Sequence, residues 1–136
     1  MILRRIGRAD WDVCGICNDD EERTCDVLDL LVDHADGATC LAWLRKSIAE
    51  HGPPGNKEKS RRLSQYIYEL KHKQLRLFYF FDEGRLIVVA HGAAKPSEKV
   101  LKRHVARAEQ RRRAYMEARR TGDVTIIDAA ETPHGH

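Results

Sequence analysis

Residues 65–95 read QYIYELKHKQLRLFYFFDEGRLIVVAHGAAK, and the reading of this stretch decides the fold. Runs rich in β-branched and aromatic residues alternate with short polar interruptions, the period-2 pattern of strands. Strands are expected over residues 67–71, 75–82 and 85–91. Between the last two, Asp82-Glu83-Gly84 is a hairpin connection with glycine where a positive φ is needed. On the middle strand Leu75, Leu77, Tyr79 and Phe81 share one face, and Arg76, Phe78 and Phe80 share the other. Lys71, Arg76, His91 and Lys95 thread this otherwise apolar pattern, which is more charge than folding alone requires.

Upstream, residues 56–64 (NKEKSRRLS) form a basic connection anchored by Leu63. A helix is expected over residues 38–51, with Leu41, Leu44 and Ile48 on its apolar face and Gly52-Pro53-Pro54-Gly55 as its stop. Another starts at Thr24 or Asp26, carries Val27, Leu28, Leu30, Leu31 and Ala35 at helical spacing, and ends at Asp36-Gly37. The short link between the two implies a helix hairpin. Residues 11–17 (WDVCGIC) read as the first strand.

Downstream, Pro96 and Ser97 open a long helix to residue 120, with Ser97 as N-cap and Glu98 in its first turn. Val100, Leu101, Val105, Ala108, Tyr115 and Met116 make its buried stripe. Residues 124–127 are strand-like and the last residues of the tail are expected to be disordered. The expected order is β-α-α-β-β-β-α, an α+β domain with a mostly antiparallel sheet, its helices on one face and the other face open. One domain over residues 1–120 and a tail over 121–136 follow.

Charge is distributed unevenly. Residues 1–56 hold 6 Lys/Arg against 11 Asp/Glu, whereas residues 57–120 hold 18 against 7, a local net of +11 within a chain of +3 overall. That excess implies a polyanion or an acidic protein as partner. Helix solvation accounts for the arginines of the last helix but not for Lys71, Lys73, Arg76 and Lys95. No apolar run reaches the ~18 residues of a membrane span, and the N-terminus lacks the apolar core of a secretory signal. A cytoplasmic protein that makes no membrane contact is expected. Cys14 and Cys17 form a C-x-x-C without a second pair, so the four cysteines, with Cys25 and Cys40, read first as reduced, partly buried small hydrophobes. A metal site drawing on His34 or Cys25 is the lesser reading.

The ordered series Tyr68-Glu69-Leu70-Lys71, Arg76-Leu77-Phe78-Tyr79-Phe80, His91-Gly92 with Lys95, and Ala108 with Tyr115 resembles the RelE/ParE toxin superfamily, in its phage-derived, HigB-like branch. The helix hairpin ending in Glu50-His51-Gly52-Pro53 fits as well, and the likeness spans residues 25–118. The resemblance implies a RelE-like fold and a type II toxin that cleaves mRNA, possibly on the ribosome, with no metal or other cofactor and with a helix-turn-helix antitoxin as its inhibitor. Pro96 stands where many members of the branch carry a second lysine. Neither the N-terminal segment with Cys14 and Cys17 nor the acidic tail matches the pattern. Two other readings share these residues: a ParE-like gyrase inhibitor, whose sheet lacks the dense cationic set, and a nucleic-acid-binding module without catalysis.

Metal-free RNA cleavage needs a base for the 2′-hydroxyl, positive charge around the phosphorane, and an acid for the 5′-oxygen. Arg76 heads the expected catalytic set because its planar fork can bridge two phosphate oxygens. Lys71 and Lys95 either exchange protons or only bind phosphate. Glu69 either serves as base or orients a cation. His91 either exchanges protons near pH 7 or is structural. For RNA binding the candidates are Lys73 and His72 in the strand connection, Phe78 as a stacking ring, with Tyr79 as its alternative, and Lys99 and Arg103 on the basic helix. Tyr115 lies in the apolar stripe of that helix and is assigned to packing.

Overall fold

Leu75–Asp82 and Leu86–Ala94 form the hairpin that the alternating pattern predicts, here strands β5 and β6. Gly84 sits in its turn at φ +76°, a conformation that costs glycine little and other residues more. The computed structural model describes residues 1–19 and 24–128. Over these, five further strands join the hairpin: β1 Ile2–Arg8, β2 Asp12–Ile16, β3 Ser60–Arg62, β4 Tyr68–His72 and β7 Thr125–Asp128. The seven lie in the order β3-β4-β5-β6-β2-β1-β7. Four neighbouring pairs are antiparallel, while β2 runs parallel to β6 and β7 parallel to β1.

Helix α1 is Asp26–Asp33. Helix α2 begins as Gly37–Trp43, widens into a π-helical turn over Leu44–Ile48 and ends in Ala49–His51. Gly52, at φ +78°, then turns the chain against the Trp11 ring, so close that an added Cβ would stand 2.7 Å from it. Helix α3 is Glu98–Arg120. Among the described residues no helix is long and apolar enough to cross a membrane.

The helices do not share one face of the sheet, as the sequence suggests. Helices α1 and α2 cover one side, where Val27, Leu31, Leu44 and Ile48 pack with Val13, Leu70, Leu77, Tyr79 and Val89. Helix α3 covers the other, setting Leu101, Val105, Ala108 and Tyr115 on Phe78, Phe80, Val88 and Ala90. The face expected to be open is therefore largely a second core. Its physical reason is visible on β5: both alternating sets are apolar, the mark of a strand buried on two sides.

Three strands also lie outside the expected order. Strand β1 escapes a period-2 reading because Arg4 and Arg5 interrupt its apolar residues; Leu3 lies in one core and Ile6 in the other, and the register shifts between Arg5 and Gly7. The basic connection of residues 56–64 contains β3, whose Ser-Arg-Arg has no apolar alternation to betray it. The tail contributes β7, held to β1 by a bond from Arg5 to Asp128 of 2.7 Å, while Arg5 also grips Asp12 of β2. Residues 129–136, expected to be disordered, lie outside the described residues.

Phe78 is fully buried between β5 and α3. Phe78→Ala is expected to destabilise the fold by about 3–5 kcal/mol, read as a lower midpoint in urea unfolding followed by circular dichroism.

Candidate functional site

Register places the cationic residues before any side chain is considered. Lys71 of β4 lies directly opposite Arg76 of β5, and Glu69 lies opposite Phe78. Such partners hold their Cβ atoms about 5 Å apart on one face. On the outer side Arg61 of β3 pairs with Glu69, and on the inner side His91 of β6 pairs with Phe78. Arg61, Glu69, Lys71, Arg76 and His91 therefore form two adjacent rows on the α3 side. The rows run towards the end of the sheet where the β4–β5 turn meets the end of β6.

The carboxylate of Glu69 organises the outer part of this group. Its side chain is 2% exposed, and its Oε1 accepts a bond from Arg61 Nε at 2.9 Å and faces Lys71 Nζ at 3.9 Å. A buried carboxylate is tolerable only when cations or donors meet it. Arg61 also reaches Glu98 on the first turn of α3, at 3.8 Å. Arg76 is built differently. Its Nη1 donates to the carbonyls of Lys73 and Leu75 at 2.7 and 2.9 Å, which folds the guanidinium over the β4–β5 turn. Among the described residues it has no carboxylate partner. Lys73 and Lys95 both take positive φ, 53° and 41°, and the Lys95 amide donates to Gln74 at 2.6 Å. The exposed Lys73 and Lys95 thus stand at the same end of the sheet as Arg76.

His91 lies deeper. A register shift after Phe78 lets both Ala90 and His91 meet the α3 side. The imidazole stacks on Phe78, and its Nε2 shares a hydrogen bond of 2.8 Å with His104 Nδ1 of α3. Burial, then the neighbouring His104 and the arginines Arg111 and Arg107, push its pKa down to about 4. The ring is therefore neutral at neutral pH and held by its bond to His104. Phe78 is no platform for a base, because it is fully buried against His91 and His104.

His72 falls on the other face. It stacks on Trp43 of α2 and bonds Thr39 at 2.9 Å, away from Lys71 and Arg76. Lys99 and Arg103 are exposed on the first turns of α3. Tyr79 belongs to the α1–α2 side, where it bonds Ser60 at 2.9 Å. Tyr115 packs on Phe80 and donates to Asp82, as its place in the apolar stripe implies. The C-x-x-C is split by the sheet: Cys14 lies under α3, whereas Cys17 lies under the α1–α2 layer with Cys25 and Cys40. All four are buried free thiols, and burial raises the pKa of Cys14 and Cys40. Sequence reasoning passed over Arg61 and His104. Arg61 sits in a strand without apolar alternation, and His104 is one polar residue on a helix full of them.

Through the family whose model it matches, the chain falls within the RelE/ParE-like toxin superfamily. The chain belongs to the phage-derived Gp49-like family (DUF891), whose model matches residues 34–113, more than half its length. The match takes in α2, strands β3–β6 and most of α3, and so the whole cationic group, while β1, β2 and β7 fall outside it. No curated protein matches the chain.

His91 links the site to pH. Its pKa is about 4 in the fold and near 6.5 in the unfolded chain, so between these values only the unfolded state takes up the proton. Stability is therefore expected to fall as pH drops from about 6.5 towards 4, and His91→Phe should flatten that part of the profile in urea unfolding at stepped pH.

Proposed function

We propose that this protein is a HigB-like type II toxin that cleaves single-stranded mRNA without a metal and is held in check by an antitoxin. The observation that carries the reading is Arg76, a guanidinium without a carboxylate partner among the described residues, set directly opposite Lys71 and beside the turn that carries Lys73. A cation kept from internal pairing at that position is available to a phosphate. The family's place among RelE/ParE-like toxins supports the same reading.

In this reading the ribose 2′-hydroxyl attacks the adjacent phosphorus and the bond to the 5′-oxygen breaks, leaving a cyclic phosphate and a 5′-hydroxyl. Arg76 and Lys71 meet the charge that develops on the phosphorane, where fixed donors contribute most. Lys71 and Lys95, one on each side of Arg76, are the proton-transfer groups. Glu69 has the orienting role, since its carboxylate is buried and committed to Arg61. Lys73, Lys99 and Arg103 extend the cationic surface along the RNA backbone. The antitoxin of this reading is a helix-turn-helix protein, and the ribosome is the setting in which message reaches the sheet.

The test is cleavage of a defined mRNA by purified protein, with and without ribosomes, in the presence of EDTA. Arg76→Ala is expected to slow cleavage about 10²–10³-fold and to abolish growth inhibition. Its unfolding midpoint should stay near the parent's, because Arg76 bonds only carbonyls at the exposed turn. Intact message with a folded parent protein would overturn the reading.

A further inference from the structure

The sheet carries a second aromatic and cationic feature, on the side opposite Arg76. A cleft of about 620 Å³ opens where the Gly52–Gly55 stop of α2 faces the β3 edge of the sheet. That volume lies within the ~300–1,000 Å³ of sites that enclose small organic groups. Its floor is a group of rings. Tyr68 stacks on Tyr79 with centroids 5.5 Å apart, and Phe81 meets Tyr68 edge-on at 5.1 Å. Tyr68 is half-buried and Phe81 is 36% exposed, so both can be reached from solvent. Ser60 and Tyr79 add hydroxyls on the polar side, already bonded to each other.

The rim of this cleft is cationic. Lys57, Arg61 and Arg62 line it, and among the described residues no Asp or Glu does. Arg62 spends its donors on the carbonyls of Ser64 and Gln65, at 3.0 and 2.7 Å, and so keeps its full charge at the rim. Arg61 belongs to both places: it lines the cleft and holds Glu69 on the α3 side. From Arg76 on β5 to the β3 edge is two strand spacings, about 10 Å. The cationic row and the cleft are thus joined around a single short edge strand.

We propose that this cleft takes an unpaired base of the RNA strand whose phosphate lies at Arg76, with the base on Tyr68 and Phe81 and the flanking phosphates on Lys57 and Arg62. Aromatic faces accept any base, and cations beside them select a nucleic-acid backbone over a neutral peptide. A duplex keeps its bases stacked inside and cannot use the rings, so the cleft makes the protein a reader of single strands. This inference rests on the RNA reading of the cationic row, but the two are separable by experiment.

The probe is a fluorescein-labelled RNA hexanucleotide made uncleavable by 2′-O-methylation, compared with an RNA duplex of equal phosphate number, on the full chain. Tyr68→Leu is expected to weaken hexanucleotide binding about tenfold, in line with ~1–3 kcal/mol for a stacked base, and to leave duplex binding unchanged. Tyr68→Phe should bind as the parent does, since the ring is kept. Arg62→Ala should weaken both ligands and reduce the salt dependence of each. In the cleavage assay Tyr68→Leu should raise KM with kcat unchanged, whereas Arg76→Ala lowers kcat and keeps the Tyr68-dependent binding. Tyr68→Leu and Phe81→Ser proteins that bind the hexanucleotide as tightly as the parent would overturn the proposal. So would equal losses on hexanucleotide and duplex, or capture of an acidic peptide in place of RNA. A parent that cleaves nothing yet binds the hexanucleotide through Tyr68 would remove the cleavage reading and leave the cleft standing.

Discussion

The burial of one carboxylate sets the order of charges on this sheet. Glu69 sits at 2% side-chain exposure in the middle of β4, where a charge cannot remain unless cations come to it. Arg61 comes from the edge strand and Lys71 stands on the same strand. The three-residue strand β3, paired with β4, carries Arg61 to that carboxylate. That commitment separates the cations into two kinds. Arg61 is engaged by Glu69 and Glu98, while Arg76, two strands further in, turns to carbonyls and has no carboxylate partner among the described residues.

The second constraint is the pair of apolar faces on β5. Leu75, Leu77 and Tyr79 require the α1–α2 layer, and Phe78 and Phe80 require α3. Once α3 lies across Phe78 and Phe80, the α3 side can present charge only beyond the helix, towards the β3 edge and the β4–β5 turn. Arg76, Lys71, Lys73 and Lys95 lie in that remaining area. The same closure takes Phe78 out of solvent, partly covers His91 and gives His104 its partner. The core and the cationic surface are consequences of one packing arrangement.

How much of this was legible in the sequence follows from which signals are local. The β5–β6 hairpin, the positive φ at Gly84, the long basic helix and the stop after His51 are set by neighbouring residues, and their reading agrees with the structure. Arg76 and Lys71 could be paired from alternation alone once β4 and β5 were aligned. The face occupied by α3 could not, because it depends on which of two apolar sets the helix meets. Strand β1 was hidden by the arginines between its apolar residues, and β3 by its polar composition. The surroundings of His91 were not readable either: burial under α3 and His104, thirteen residues away in sequence, push its pKa down.

That environment bears on the chemistry. His91 stacks with Phe78 and His104, and its lowered pKa makes it a weaker proton acceptor than an ordinary histidine. The groups that remain reachable beside Arg76 are amines. In the cleavage proposed above, fixed positive charge around the phosphorane would supply most of the rate enhancement, with proton transfer the smaller contribution. The guanidinium of Arg76, pinned at Nη1 by two carbonyls of its own turn, has a fixed geometry and no carboxylate partner among the described residues, which suits it to that charge.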